Sequence, residues 1–273
     1  MMRHHLRALL FDMDGVLYRG RQPLPGARAL IGALQTGGIP FALVTNNSTR
    51  SPHQYVRHLA AMGMRVPAGH IVTSSVGTAV YLRTILRPRS RVLVVGEAAL
   101  RRAVANAGFT LSWDDAAAVV VGLDRRVTYK KLALALAALN RGAMFVATNP
   151  DPMLPTETGL LPGAGSIVAA LRYASGREPV VIGKPDPRLL REAMTRTGAR
   201  PDHTAMVGDQ RSTDIAAGRA AGAFTILVMT GIEANRRPGR REPRPDLTVQ
   251  NLVELRRWLA GRLGVDPTRD AAR

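Results

Sequence analysis

The chain of 273 residues contains no cysteine. That excludes disulfides, thiolate metal sites and a cysteine nucleophile. Aromatic residues make up only 4% of it, too few for a face of base-stacking platforms. No run approaches the roughly 18 consecutive apolar residues that crossing a bilayer requires. Met1-Met2-Arg3-His4-His5 leads into the first apolar segment without an export signal. Acidic residues are scarce, 20 against 38 Lys and Arg, for a net charge of +18. Such a balance suits an anionic partner: nucleic acid, anionic lipid or an anionic small molecule. The positive residues are overwhelmingly arginine and are spread along the chain. They are densest at Arg236-Arg237-Pro238-Gly239-Arg240-Arg241-Glu242-Pro243-Arg244, with no aromatic among them. A solvated loop accounts for that cluster better than a nucleic-acid site. The expectation is a cytoplasmic protein with neither a membrane nor a nucleic-acid partner.

What is present is an ordinary globular composition, 46% hydrophobic and 21% charged, long enough for one large domain or two smaller ones. Short apolar runs alternate with helical patterns. Ala8 to Phe11 is a buried strand, followed by a helix from Pro25 to Gly37 and a strand from Pro40 to Val44. A helix from Ser51 to about Met62 and a strand from His70 to Thr73 come next. Strand, helix, strand, helix with short links is the pattern of a parallel sheet. A second series of the same kind fills the middle, with strands at Arg91 to Val95, Ala117 to Val121 and Met144 to Ala147. A long loop rich in Pro and Gly, from Thr148 to Gly165, leads to a helix over Ser166 to Ala174. The last third reads as a helix from Pro187, a strand from Thr204 to Val207, a helix from Asp214 to Ala221 and a strand from Phe224 to Val228. A closing helix spans Leu252 to Leu263, and the last ten residues look frayed. The expected fold is α/β, a Rossmann-like parallel-sheet core over residues 1–74 and 180–273 with an α/β cap domain, 75–179, inserted into it.

Each strand that reads as buried ends in polar residues of one kind. The first breaks into Asp12-Met13-Asp14-Gly15, the second into Thr45-Asn46, and a later one into Gly208-Asp209, while Lys184 sits in a Gly-Lys-Pro turn just after another. Carboxyl ends of neighbouring parallel strands converge on one crevice, so these groups should meet. Two close carboxylates repel, and they are stable only with a cation between them or a proton on one. Hard carboxylate oxygens without His or Cys suit Mg²⁺, and a Lys, a Thr and backbone amides suit a phosphate.

This set, in this order, resembles the haloacid dehalogenase superfamily of phosphatases. The inserted series, with Val121-Gly122-Leu123-Asp124, Ala147-Thr148-Asn149-Pro150-Asp151 and Pro162-Gly163-Ala164-Gly165-Ser166, is similar to the large type II cap of its class IIA branch. The resemblance implies an aspartyl nucleophile at Asp12 and a general acid and base at Asp14. It implies Mg²⁺ held by the side chains of Asp12 and Asp209 and by the backbone carbonyl of Asp14. Thr45, the amide of Asn46, and Lys184 would hold the phosphoryl oxygens. The substrate is then a small phosphorylated metabolite, met beneath a cap that excludes water. A homodimer is compatible with the resemblance. A phosphotransferase or mutase on the same site is the alternative activity, and a non-catalytic phosphate- or nucleic-acid-binding protein is the alternative of another class.

Several residues keep two readings at this point. Asp214 is a helix N-cap or, through the resemblance, a residue orienting Lys184 and the metal's surroundings. Asn149 and Asp151 are substrate contacts or part of a structural connection within the cap. Ser212 departs from the branch, whose fourth motif usually carries an acidic residue three positions after Asp209. The dehalogenases of the superfamily lack a second Asp after the nucleophile and the transport ATPases follow theirs with Lys-Thr-Gly, so Asp14-Gly15 favours phosphomonoester hydrolysis.

Overall fold

The computed structural model describes residues 6–156, 159–231, 239 and 242–263. Arg236, Arg237, Arg240 and Arg241 of the basic cluster and the last ten residues lie outside them. The first third of the chain runs through β1 (Ala8–Phe11), a small hairpin of β2 (Tyr18–Arg19) and β3 (Gln22–Pro23), and α1 (Ala27–Thr36). It continues through β4 (Phe41–Thr45), α2 (Pro52–Ala61), β5 (Ile71–Thr73) and α3 (Ser74–Ile85). The middle comprises β6 (Arg91–Val95), α4 (Ala98–Asn106), β7 (Thr110–Leu111), β8 (Ala118–Val121), α5 (Tyr129–Asn140) and β9 (Met144–Ala147). Then come a hairpin of β10 (Met153–Thr156) and β11 (Gly159–Pro162), α6 (Ala164–Ser175) and β12 (Val180–Val181). The last third holds α7 (Arg188–Thr197), β13 (Thr204–Gly208), α8 (Ala216–Ala221), β14 (Phe224–Val228), β15 (Leu247–Val249) and α9 (Leu252–Leu263).

The chain divides into two compact units, one of residues 1–45, 52–72 and 184–273, the other of 46–51 and 73–183. The first is built on a six-stranded sheet ordered β15-β14-β13-β1-β4-β5. β1 is buried along its whole length, as a central strand with helices on both faces must be. Its alternate residues serve opposite cores. Leu9 and Phe11 pack with Phe41, Leu43, Val207 and Ile226 on one face. Leu10 packs with Ala42, Val44, Val72 and Met206, beneath Leu189 and Leu190 of α7, on the other. The second unit is built on a five-stranded parallel sheet ordered β12-β9-β8-β6-β7. Here Leu93, Val95, Val119 and Val121 face α5 and α6, while Val92, Val94, Ala118 and Val120 face the opposite core with Leu82 and Leu100. The fold is therefore α/β with Rossmann-like parallel sheets.

Several stretches differ from the sequence expectation, the small β2–β3 hairpin among them. The helix expected from Asp214 begins earlier, as a wide turn over Arg211–Ile215 in which the amides of Asp214 and Ile215 both donate to Gln210 O, at 3.0 and 3.2 Å. Such a turn accommodates one residue more than an α-turn. The long loop from Thr148 contains the β10–β11 hairpin, and α6 begins at Ala164 rather than Ser166. Pro155 and Pro162 lie within that hairpin, as proline can where a strand lacks a neighbour on one side. The two-residue strand β7 also escaped the pattern because two residues show no periodicity.

Candidate active site

In the first unit the order of strands reverses beside β1. The chain moves outward from β1 to β4 and β5, then returns to lay β13, β14 and β15 on the other side. The crevice between β1 and β13 is thus a topological switch point, where open α/β sheets accept ligands at their carboxyl ends. Phe11 lies opposite Val207, and the Asp12 amide donates to Val207 O at 2.9 Å. This register delivers Asp12 and Asp209 side by side.

The structure brings four buried ionisable groups together there. Lys184 Nζ donates to Asp12 Oδ1 at 2.6 Å and to Asp214 Oδ1 at 2.7 Å. Oxygens of Asp12, Asp209 and Asp214 lie within 4.8 Å of one another. Asp214 Oδ2 accepts the backbone amides of Asp209 and Gln210, at 3.2 and 3.1 Å. The wide turn thus bends its own acidic residue back to hold the end of β13, and Asp214 caps no α-helix. Gly15 makes room for Asp209. Its φ is +82°, and a Cβ there would fall 2.8 Å from Asp209 Cγ. Thr230 Oγ1 fixes the same turn by donating to Gly15 O at 2.7 Å. Asp14 follows the buried Met13 and is exposed, and its carboxylate is outside the cluster of three. Thr45 is the buried last residue of β4, whose Leu43 lies opposite Phe11.

The cluster holds three carboxylates and one ammonium, which Asp12 and Asp214 share. Burial is the main force pushing the Asp12 carboxyl well above its usual range; Lys184 pulls it down, and Asp214 and Asp209 push it up again. Burial alone would lower the Lys184 ammonium, yet Asp12 and Asp214 hold it above the ordinary lysine range. A buried surplus of negative charge is costly unless a cation neutralises it. The donor set, all carboxylate oxygen, matches Mg²⁺.

In the second unit, Asn46 follows Thr45 in the chain, and its side-chain amide donates to the Asp151 carboxylate at 3.1 and 3.3 Å. Asn149 Nδ2 donates to Asn46 O at 2.8 Å, and Asn149 Oδ1 accepts the Asp151 amide at 3.1 Å. Asn46, Asn149 and Asp151 therefore form one hydrogen-bonded group. Ser74, whose hydroxyl donates to Asn46 O at 2.6 Å, belongs to it and went unnoticed in the sequence. Asn149-Pro150-Asp151 itself has an Asx-turn composition.

Residues 9–110 match the family of haloacid dehalogenase-like hydrolases, and residues 181–255 match its HAD-hydrolase-like relative. A curated 5'-nucleotidase of Bacillus subtilis is 37% identical over 248 residues, covering 91% of this chain and 96% of that protein. The chain belongs to the haloacid dehalogenase-like hydrolases, on their phosphatase side. A solved p-nitrophenyl phosphatase from Archaeoglobus fulgidus superposes with a TM-score of 0.86 at 35% identity, over 92% of this chain and 98% of that one. A glycerol phosphate phosphatase from Mycobacterium tuberculosis, solved in complex with magnesium, superposes at 0.82 with 40% identity, over 92% and 77% of the two chains. The likeness to this family spans both the split first unit and the inserted second one. Among the described residues, no helix is long and apolar enough to cross a membrane.

Proposed function

We propose that this haloacid dehalogenase-like hydrolase is a Mg²⁺-dependent phosphomonoesterase working through an aspartyl-phosphate. The observation that carries the reading is the buried cluster of Asp12, Asp209 and Asp214 around Lys184 at the β1–β13 crevice. An Asp12 oxygen attacks phosphorus, and the ester P–O bond breaks as the phosphoryl group moves to Asp12. Asp14 gives its proton to the departing alkoxide, then takes one from the water that attacks the aspartyl-phosphate. That second attack releases inorganic phosphate and returns the Asp12 carboxylate. Thr45 Oγ1, the Asn46 amide and Lys184 Nζ hold the phosphoryl oxygens, and Asp214 keeps Lys184 aimed. The exposure of Asp14 supports its role, since a group that exchanges protons with leaving group and water has to be reached by both. Mg²⁺ would be held by the Asp12 and Asp209 side chains and the Asp14 carbonyl, and would supply positive charge to the phosphoryl group when bound.

The first unit is the catalytic core in this reading, and the second is the cap that chooses the leaving group. The relatives named above act on a nucleotide, nitrophenyl phosphate and glycerol phosphate. Their common feature is a small phosphomonoester, the substrate class proposed here. Asp12→Asn is expected to lower nitrophenyl phosphate turnover with Mg²⁺ by roughly a thousandfold or more, as loss of a nucleophile does. Full turnover by that variant would overturn the mechanism.

A further inference from the structure

The chain passes between the two units after residues 45, 51, 72 and 183. Just inside the second unit, three of those passages are tied to one loop. Asn46 O accepts both Ser74 Oγ, at 2.6 Å, and Asn149 Nδ2, at 2.8 Å. Asn149 Nδ2 also reaches Thr148 Oγ1 at 3.2 Å, while Thr148 O accepts the Gly183 amide at 2.9 Å. Ser74, Thr148 and Asn149 are buried, so these bonds are shielded from competing water. Gly183 fits only as glycine. A Cβ there would lie 2.6 Å from both Asn46 Oδ1 and Thr148 O and 3.0 Å from Asn149 Cβ.

Residue 46 is the neighbour of Thr45, and residue 183 the neighbour of Lys184. A loop that fixes Asn46 against Gly183 therefore fixes, through single peptide links, the distance between the two segments that carry the phosphate ligands proposed above. We infer that Asn149 is a positioning residue for phosphoryl binding, with Asp151 and Ser74 as its supports, and that neither Asn149 nor Asp151 recognises the leaving group. This inference rests on the reading of Thr45, Asn46 and Lys184 as phosphate ligands. Asn149 suits the task because its amide donates to Asn46 O while its carbonyl oxygen accepts Asp151 N, so one planar group spans both sides of the tie. Asp151 in turn takes the Asn46 side chain on its carboxylate.

The full-length enzyme with Mg²⁺ tests this in one series of variants, each first checked for cooperative unfolding. Asn149→Ala is expected to lower kcat/KM by about 10- to 100-fold, as a displacement of order 1 Å does. The loss should be equal for nitrophenyl phosphate and glycerol phosphate, because the phosphoryl group is common to both. Competitive inhibition by inorganic phosphate should weaken in parallel. Asp151→Ala should lose less, and Asp151→Asn, which keeps an oxygen for the Asn46 amide, should recover most of that loss. A loss that differs between the two substrates with phosphate inhibition intact would overturn the inference in favour of leaving-group contact. Unchanged kinetics in Asn149→Ala would overturn it outright. Lys184→Met separates the underlying reading. If that variant still binds inorganic phosphate with the parent's affinity, read by titration calorimetry with Mg²⁺, the phosphate cradle itself is wrong. If it loses phosphate binding while Asn149→Ala does not, only the positioning role fails.

Discussion

The two units solve the same architectural problem and put opposite charge at the same place. Each has a parallel sheet whose strand order reverses, between β1 and β13 in the first and between β6 and β8 in the second. Each releases carboxylates at that point. In the first unit Asp12 and Asp214 share Lys184, and Asp209 adds a third carboxylate to the cluster. In the second, every acid there has its own cation. Glu97 takes Arg125 in a two-bonded pair at 2.6 and 2.9 Å, and Asp124 takes Lys131 at 2.7 Å while also accepting the Arg126 amide. Beyond those pairs, Arg101, Arg102 and Arg126 line a cavity of about 760 Å³ in the second unit, a balance tilted positive. A switch point supplies a crevice in both. What distinguishes a candidate catalytic centre is the unbalanced burial of charge, which the fold tolerates only where another charge is to arrive.

The comparison can be broken most forcefully at the lysines. Lys184→Met leaves Asp12 and Asp214 without their cation and is expected to cost about 3–5 kcal/mol in chelator, measured by urea unfolding, along with loss of turnover. A cost below that of the corresponding change in the second unit would sink the idea that the first unit is the one under electrostatic load.

The next effect belongs to the metal. The folded-state pKa of Asp12 is raised above its ordinary 3.8. Its contribution to stability is therefore fully present below that value and is lost as pH rises through the raised one. Mg²⁺ needs the ionised carboxylate and competes with its proton. The rise in Tm on replacing chelator by Mg²⁺ should thus be larger near pH 8 than near pH 5, read by calorimetry. A rise that shrinks with increasing pH contradicts the assignment.

The smallest changes lie in the second unit. Lys131→Met removes the cation from the buried Asp124, leaving the Arg126 amide among the described residues, and should cost about 1–3 kcal/mol. Glu97→Gln, at a pair whose arginine is well exposed, should cost less than about 1 kcal/mol. Both variants should keep the kcat of the parent on nitrophenyl phosphate, and a fall of tenfold would place catalytic groups where only ion pairs are visible.

Much of this was legible in the chain because buried parallel strands announce themselves twice, by a short apolar run and by the abrupt polar residue that ends it. Ala8 to Phe11 followed by Asp12, and Thr204 to Val207 followed by Gly208-Asp209, are of this kind, and both strands lie where the pattern put them. Less legible was anything depending on a side chain bending back. Asp214 reads equally as a cap because its sequence neighbours are helix formers, and only the wide turn shows its oxygens directed at Lys184 and the Asp209 amide. The tie between Asn46 and Asn149 spans 103 residues, beyond the reach of any local pattern. The hairpin from Met153 to Pro162 was hidden by Pro155, Gly159 and Pro162, residues that usually punctuate loops.

The position of β1 between β4 and β13 sets an order of events during synthesis. At ~5–20 residues per second, β13 leaves the ribosome roughly ten to forty seconds after β1. Until then β1 can have a neighbour on one side only, and its other edge presents unpaired amides and carbonyls. Over the same interval the whole of residues 73–183 has been made, including the loop for which Asn46 has been waiting. The nascent chain therefore completes its inserted unit while its own central strand is still half paired, and the carboxylate of Asp12 acquires its neighbours Lys184, Asp209 and Asp214 among the last groups to arrive.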